Sequence, residues 1–441
     1  MSNLLIKNCD LLRFTNETPE ILFNQDILIG ANQIISIGDS LNPDLTSDII
    51  RIDGKGMLAV PGMVNCHAHV PMVLFRGGAE DVTIEDWFNS YIFPMESNLT
   101  PEDVYWGALL GIAEMIEAGI TNVADHYFFM DDVARAIEES GIRGNLAHAI
   151  FEHEGIDKLD ETASFVNRWQ GKANGRIRTW MGPHSPYLCG PEFLKQCVQL
   201  AEDLGAGIHI HVAETKIQVD QSIEKYGKTP VQLLADVGVF SVPTILAHCL
   251  FTDEVDLEII SENPVGIGQA PKTYMRLGKS PTSLKPYLDR GIPIGLASDG
   301  AASSSTMGLY EQMRLMALTQ KVVQGDPCEM PIAEIIQIAY KGGAKVCQES
   351  DLGEIEPGKL ADVVLLRQDR AAAIPRLNPL ANLVYSLGSD DVDTVVCDGK
   401  IIYLHGEHQT LNLKEIRQEV ESRLARLVQR VPGRKVAVYP T

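Results

Sequence analysis

Six side chains able to bind a metal or move a proton stand at the ends of apolar runs: His67 and His69, then His184, His211, His248 and Asp299. His67-Ala68-His69 closes the run Pro61-Gly-Met-Val-Asn-Cys66. Side chains two apart in an extended segment point the same way, so both imidazoles can reach one ion. In Ile208-His-Ile-His-Val212 the same alternation sends His209 and His211 to one face. His211 is assigned to the ion and His209 to packing. Asp299 follows Gly295-Leu-Ala-Ser298 and adds a carboxylate. Three imidazoles and one carboxylate suit a borderline divalent ion, zinc first, with iron or manganese also compatible.

The elements that must position these groups alternate between strand-like and amphipathic helical runs. Strands are predicted over Leu58–Cys66, Thr121–Asp125, Arg143–Ile150, Ile177–Gly182, Gly207–Val212, Thr244–His248, Val265–Gln269 and Ile292–Ser298. Helices between them include Pro101–Ala118, Met130–Ser140, Pro191–Leu204, Pro230–Val237 and Leu284–Arg290. Such a series of βα units predicts an α/β fold with a (β/α)8 barrel over residues 60–359, and barrel enzymes build their sites on the rim where the strands end. The polar residues above all fall on that rim. The chain ends are different: short strands at Asn3–Ile6, Gln25–Ile29, Gln33–Ile37 and Ile49–Asp53 match others at Asp362–Leu366, Val392–Cys397 and Ile401–Tyr403. Residues 1–59 and 360–441 are therefore expected to form one discontinuous β module.

The 441 residues carry 37 basic and 59 acidic side chains, a net charge of −22. A surface that acidic repels phosphate backbones and anionic headgroups, so neither nucleic acid nor a membrane is expected as partner. A small-molecule substrate and a homo-oligomer are expected instead. Lys7, Asp10 and Arg13 interrupt the apolar character of the opening residues, and a cytoplasmic location is expected. The eight cysteines lack CxxC spacing, so reduced thiols are expected rather than a disulfide framework or a cysteine zinc knuckle.

Taken together, Pro61-Gly-Met-Val-Asn-Cys-His-Ala-His69, Phe93-Pro-Met-Glu96, Gly182-Pro-His-Ser-Pro-Tyr187, His211-Val-Ala-Glu214, Leu246-Ala-His248 and Ser298-Asp-Gly-Ala-Ala-Ser303 resemble the amidohydrolase superfamily. Within it they resemble the aminohydrolases that deaminate 5′-methylthioadenosine and S-adenosylhomocysteine. The resemblance implies a (β/α)8 barrel with a small β-sandwich made by both chain ends. It implies that His67, His69, His211 and Asp299 ligate a single metal, and that Glu214 and His248 handle protons, with Asp299 also accepting the proton of the attacking water. It further implies that Glu96 binds ribose hydroxyls and His184 touches the substrate beside the reacting ring. No lysine ends the fourth strand, where the two-metal members carry a carbamylated one, so one metal is expected.

Three segments depart from the family pattern. Gly268-Gln-Ala-Pro-Lys-Thr-Tyr-Met-Arg-Leu-Gly278 lacks the usual histidine and Ser-Asn pair. Ala301–Thr306 replaces an Asn pair with hydroxyls, and His148 stands where members can carry a substrate-contacting arginine. These positions lie on the substrate side. The first expectation is hydrolytic deamination of an adenosine-like substrate to the inosine analogue and ammonia. The alternative is the same attack on another cyclic amidine or guanidine ring, guanine-like or triazine-like. A catalytically silent barrel would have lost ligands, and none is missing here.

Overall fold

The computed structural model describes residues 3–41 and 49–430. The rest of the expected terminal module, residues 1–2, 42–48 and 431–441, lies outside the described residues.

The middle of the chain forms a parallel sheet from Met63–His69, Ile120–Tyr127, Arg143–Ile150, Ile177–Pro183, Gly207–Val212, Thr244–His248 and Val265–Gln269, followed by an eighth strand in two pieces. Ile294–Leu296 pairs with the seventh strand, while Asp299–Gly300 pairs with Ala68 and His69 of the first. The two pieces close the sheet into a barrel. Asn65 clamps the break between them: its Nδ2 donates to Ser298 Oγ at 2.7 Å, and its Oδ1 accepts from Ser298 N at 3.0 Å. The strands are buried almost throughout, which is why they read as continuous apolar runs.

Helices cover the outside, several of them opened by a local signal. Pro101–Glu117 follows a Thr100/Asp103 capping box, and Lys216–Tyr226 follows Thr215 and Gln218 in the same arrangement. The short helix expected over Leu284–Arg290 spans only Lys285–Leu288.

A second, mixed sheet joins both chain ends. Its order is Glu407–His408, Lys400–Leu404, Val392–Cys397, Val363–Arg367, Met57–Pro61, Asn3–Thr15, Thr18–Gly30 and Gln33–Gly38, with Ile49–Asp53 pairing the Asn3–Thr15 strand. It has its own core, including Leu4, Ile6, Leu11, Ile27, Val363 and Leu365. Buried Arg143, at the base of the third barrel strand, joins sheet to barrel by bonding Asp362 through Nη2 at 3.0 Å and Asp398 at 2.9 Å.

Two expectations need correction. The run predicted as one strand over Leu58–Cys66 is two strands in different sheets, parted at Gly62, where a Cβ would collide with the Thr121 side chain. The tail is not purely β: Leu413–Leu427 is a helix packed on Pro101–Glu117, with Arg426 Nη2 at 2.5 Å from buried Asp103.

Candidate active site

The barrel rim brings His67, His69 and His211 together, with their nearest ring nitrogens all within 4.8 Å of one another. Each ring is turned by a bond at its far nitrogen. His69 Nδ1 lies 2.6 Å from the His126 carbonyl, His211 Nδ1 lies 2.8 Å from the His184 carbonyl, and His67 Nδ1 lies 2.9 Å from His209 Nε2. The two carbonyls can only accept, so His69 and His211 carry their neutral-state proton on Nδ1 and present an Nε2 lone pair inward. Those two Nε2 atoms face each other at 3.3 Å. Asp299 Oδ1 stands 3.4 Å from His69 Nε2 and 3.7 Å from His67 Nε2. His67 Nε2 is fully buried with no hydrogen-bond partner, and burial pushes this imidazole down to about 4, keeping it neutral.

Lone pairs and a carboxylate converging without donors between them call for a cation. Ligands held about 2.0 to 2.1 Å from a tetrahedral ion stand roughly 3.3 to 3.4 Å apart, which matches the closest spacings here. The donor set fits a divalent metal.

Ionisable side chains surround this cluster. Glu214 follows the fifth strand and is buried, and its Oε1 accepts from Lys279 Nζ at 2.6 Å. Burial alone would raise the Glu214 carboxyl, but Lys279 and His248 together offset it and hold the group below the ordinary value. Gln218 Oε1 accepts from the backbone N–H of Glu214 at 3.1 Å and of Thr215 at 3.2 Å, fixing the loop. His248 Nδ1 lies 3.3 Å from the Tyr274 hydroxyl, and Ser303 Oγ donates to Asp299 Oδ2 at 3.1 Å. His248 and Asp299 both adopt left-handed backbone conformations, φ 76° and 57°, which cost energy for residues with a side chain.

These groups open into one shared cavity. Its far wall is aromatic, and near-parallel rings lead inward. Phe128 stacks on Phe151 at 6.0 Å, Phe151 on His184 at 4.8 Å, and His184 on His211 at 4.6 Å. Glu96 lines the same cavity, and its Oε1 accepts from the Tyr127 hydroxyl at 2.6 Å. Burial pushes the Glu96 carboxyl up to about 7.

The family model for the amidohydrolase family matches residues 58–402. The chain belongs to the amidohydrolase family. It is a metal-dependent hydrolase. Relatives include the 5-methylthioadenosine/S-adenosylhomocysteine deaminase of Caldanaerobacter subterraneus, 41% identical over 97% of this chain and 99% of that protein. The protein of that name from Pelotomaculum thermopropionicum is 42% identical over 98% and 100%. Among solved structures, a zinc-bound adenosine deaminase from Xanthomonas campestris superposes with a TM-score of 0.92 at 24% identity, covering 97% of this chain and 98% of that one. An atrazine chlorohydrolase from Arthrobacter aurescens, also with zinc, gives 0.87 at 24% identity, covering 96% and 100%. At that identity the likeness speaks for the barrel fold alone.

The sequence-predicted residues of this amidohydrolase gather at one cavity: His69, Glu96, His184, His211, Glu214, His248 and Asp299 line it, and His67 lies buried directly behind. His209 is packed, but its role is more specific than filling, since it bonds His67. His126, Tyr127 and Lys279 were not singled out from sequence. The first two end the second barrel strand, where the rim rule could have found them. Lys279 carries no such signal, because a loop brings it to Glu214. Of the departing positions, His148 points away from the cavity to Thr162 Oγ1 at 2.9 Å, and Gln269 Nε2 donates to the His248 carbonyl. Among the described residues, no helix is long and apolar enough to cross a membrane. All eight cysteines are free, and only Cys328 is exposed.

Proposed function

We propose that this amidohydrolase is a mononuclear deaminase of an adenosine thioether, 5′-methylthioadenosine or S-adenosylhomocysteine, in which water replaces the ring amino group and ammonia leaves. What carries the reading is Glu96 and Glu214 lining one cavity with the imidazole cluster. In this reading Glu96 serves the sugar and Glu214 a ring nitrogen, and both line the cavity. The names and the 41–42% identity of the relatives support the same substrate class.

His67, His69, His211 and Asp299 would hold the ion, with zinc first on donor type. A divalent ion bound there lowers the pKa of water toward neutrality and so supplies a nucleophile. Glu214 starts as a carboxylate because Lys279 keeps it ionised, so it takes a proton from the attacking water and delivers it to the ring nitrogen beside the attacked carbon. His248 orients the attacking oxygen and stabilises the charge that develops, while Asp299 accepts the second proton and passes it to the ring amino group, which leaves as ammonia when its C–N bond breaks. His184 stacks between Phe151 and His211, where it meets the ring. Glu96 keeps one oxygen on Tyr127 and offers the other to the ribose hydroxyls.

The division into a barrel over 60–359 and a terminal module over 1–59 and 360–441, a homo-oligomeric state and a cytoplasmic location complete the proposal. The acidic balance supports an assembly without nucleic acid. Ammonia release from a panel of adenosine thioethers, adenosine, guanine and aminotriazines tests the substrate class. Turnover of the thioethers is expected. Turnover of guanine or triazines alone would replace this reading with the free-ring alternative.

A further inference from the structure

We infer that this chain separates two adenosine thioethers by charge, accepting 5′-methylthioadenosine and rejecting S-adenosylhomocysteine. The inference rests on the nucleoside reading above and concerns the part of the cavity beyond the ring and the sugar.

The apolar lining of the cavity includes Trp87, Phe88, Phe93, Phe128, Phe151 and Leu277. Among the described residues lining the cavity there is no lysine or arginine, whereas three carboxylates, Glu96, Glu214 and Asp299, line it. Two cations stand beside it, and both are committed to groups of this chain. Lys279 is paired with Glu214 at 2.6 Å, and Arg276 bonds the Glu80 carboxylate and the Ser303 carbonyl. His148 supplies nothing to the cavity, since it faces Thr162 on the helix side of its strand.

The homocysteine tail ends in a carboxylate and an ammonium. Its carboxylate would leave water for aromatic walls with no cation to meet it, and an unpaired buried charge is strongly unfavourable. Its ammonium gains little in return, because one Glu96 oxygen is taken by Tyr127 and the proposed function commits the other to the sugar. A methylthio tail is apolar and polarisable, and thioether sulfur packs favourably on aromatic rings. The wall therefore fits the short neutral tail. A site that leaves a polar group unpaired discriminates by about 100-fold or more.

The test compares kcat/KM of the metal-loaded full chain on three substrates: 5′-methylthioadenosine, 5′-n-butylthioadenosine and S-adenosylhomocysteine. The butyl compound has a tail of comparable length without the charges. The first two are expected within about 10-fold of each other and the third about 100-fold or more below them. In Phe128→Arg, which places a guanidinium at the rim, the gap is expected to narrow. S-adenosylhomocysteine within about 10-fold of the methylthio compound would overturn the inference. So would a butyl compound as poor as S-adenosylhomocysteine, since size and not charge would then be the filter. Turnover of none of the three would instead remove the nucleoside reading itself.

Discussion

Lys279 Nζ lies 2.6 Å from Glu214 Oε1, with both side chains nearly enclosed. An ammonium at that distance stabilises the carboxylate form and opposes the burial that would protonate it. In the proposed mechanism this lets Glu214 receive a proton first and give it up later. Burial alone would favour the protonated acid, which cannot take a proton from water.

Lys279→Met removes the pairing and leaves burial in control, so the Glu214 carboxyl rises and the acid limb of the kcat/KM profile moves to higher pH. Lys279→Arg, which keeps the charge, is expected to stay close to the parent profile. Glu214→Gln sets the limit: turnover falls by about 100-fold to 10,000-fold at every pH with metal content unchanged. An acid limb that does not move in Lys279→Met would separate Lys279 from the proton path.

Glu96 gives a second pH dependence with its own sign. Its carboxyl is raised to about 7 by burial, so the charged acceptor for ribose hydroxyls is lost as pH falls through that value. KM for a ribosylated substrate is expected to rise below pH 7, and Glu96→Gln, which cannot titrate, should flatten that dependence. Glu96→Ala removes an acceptor worth about 1.5 to 3 kcal/mol, roughly 10-fold to 150-fold in kcat/KM. Equal losses on a ribosylated substrate and on its free base would place Glu96 on the ring instead.

His209→Phe keeps a flat ring in place but removes the Nε2 that meets His67 Nδ1. Loss of such an orienting partner typically costs about 10-fold to 100-fold in metal affinity. Competition with a chelator measures this directly, and an unchanged affinity would reduce His209 to packing.

The convergence of four candidate ligands was legible because strand alternation and the barrel rim together constrain it: His67, His69 and His211 share an inward face, and Asp299 closes the sheet beside them. What surrounds the ligands was less so. Lys279 reaches Glu214 across 65 positions of sequence, and no periodicity encodes that approach. His209 could not be separated from a generic core histidine, because alternation places it on the same face as His211 without saying what it bonds. The break at Gly62 was hidden because both strands it divides are apolar, although the glycine itself was a warning. Leu413–Leu427 carried a start signal, Asn412 with Glu415 three residues on, which the β character of the preceding tail obscured.

The central claim is that one divalent ion, held by His67, His69, His211 and Asp299, serves the hydrolysis. Titrating the metal-stripped protein with zinc while following both bound metal and ammonia release from 5′-methylthioadenosine tests it most directly. Negligible activity is expected without metal, full activity at one equivalent per chain, and no tight binding in Asp299→Ala or His211→Ala. Activity that survives stripping, or that requires a second equivalent, would contradict it.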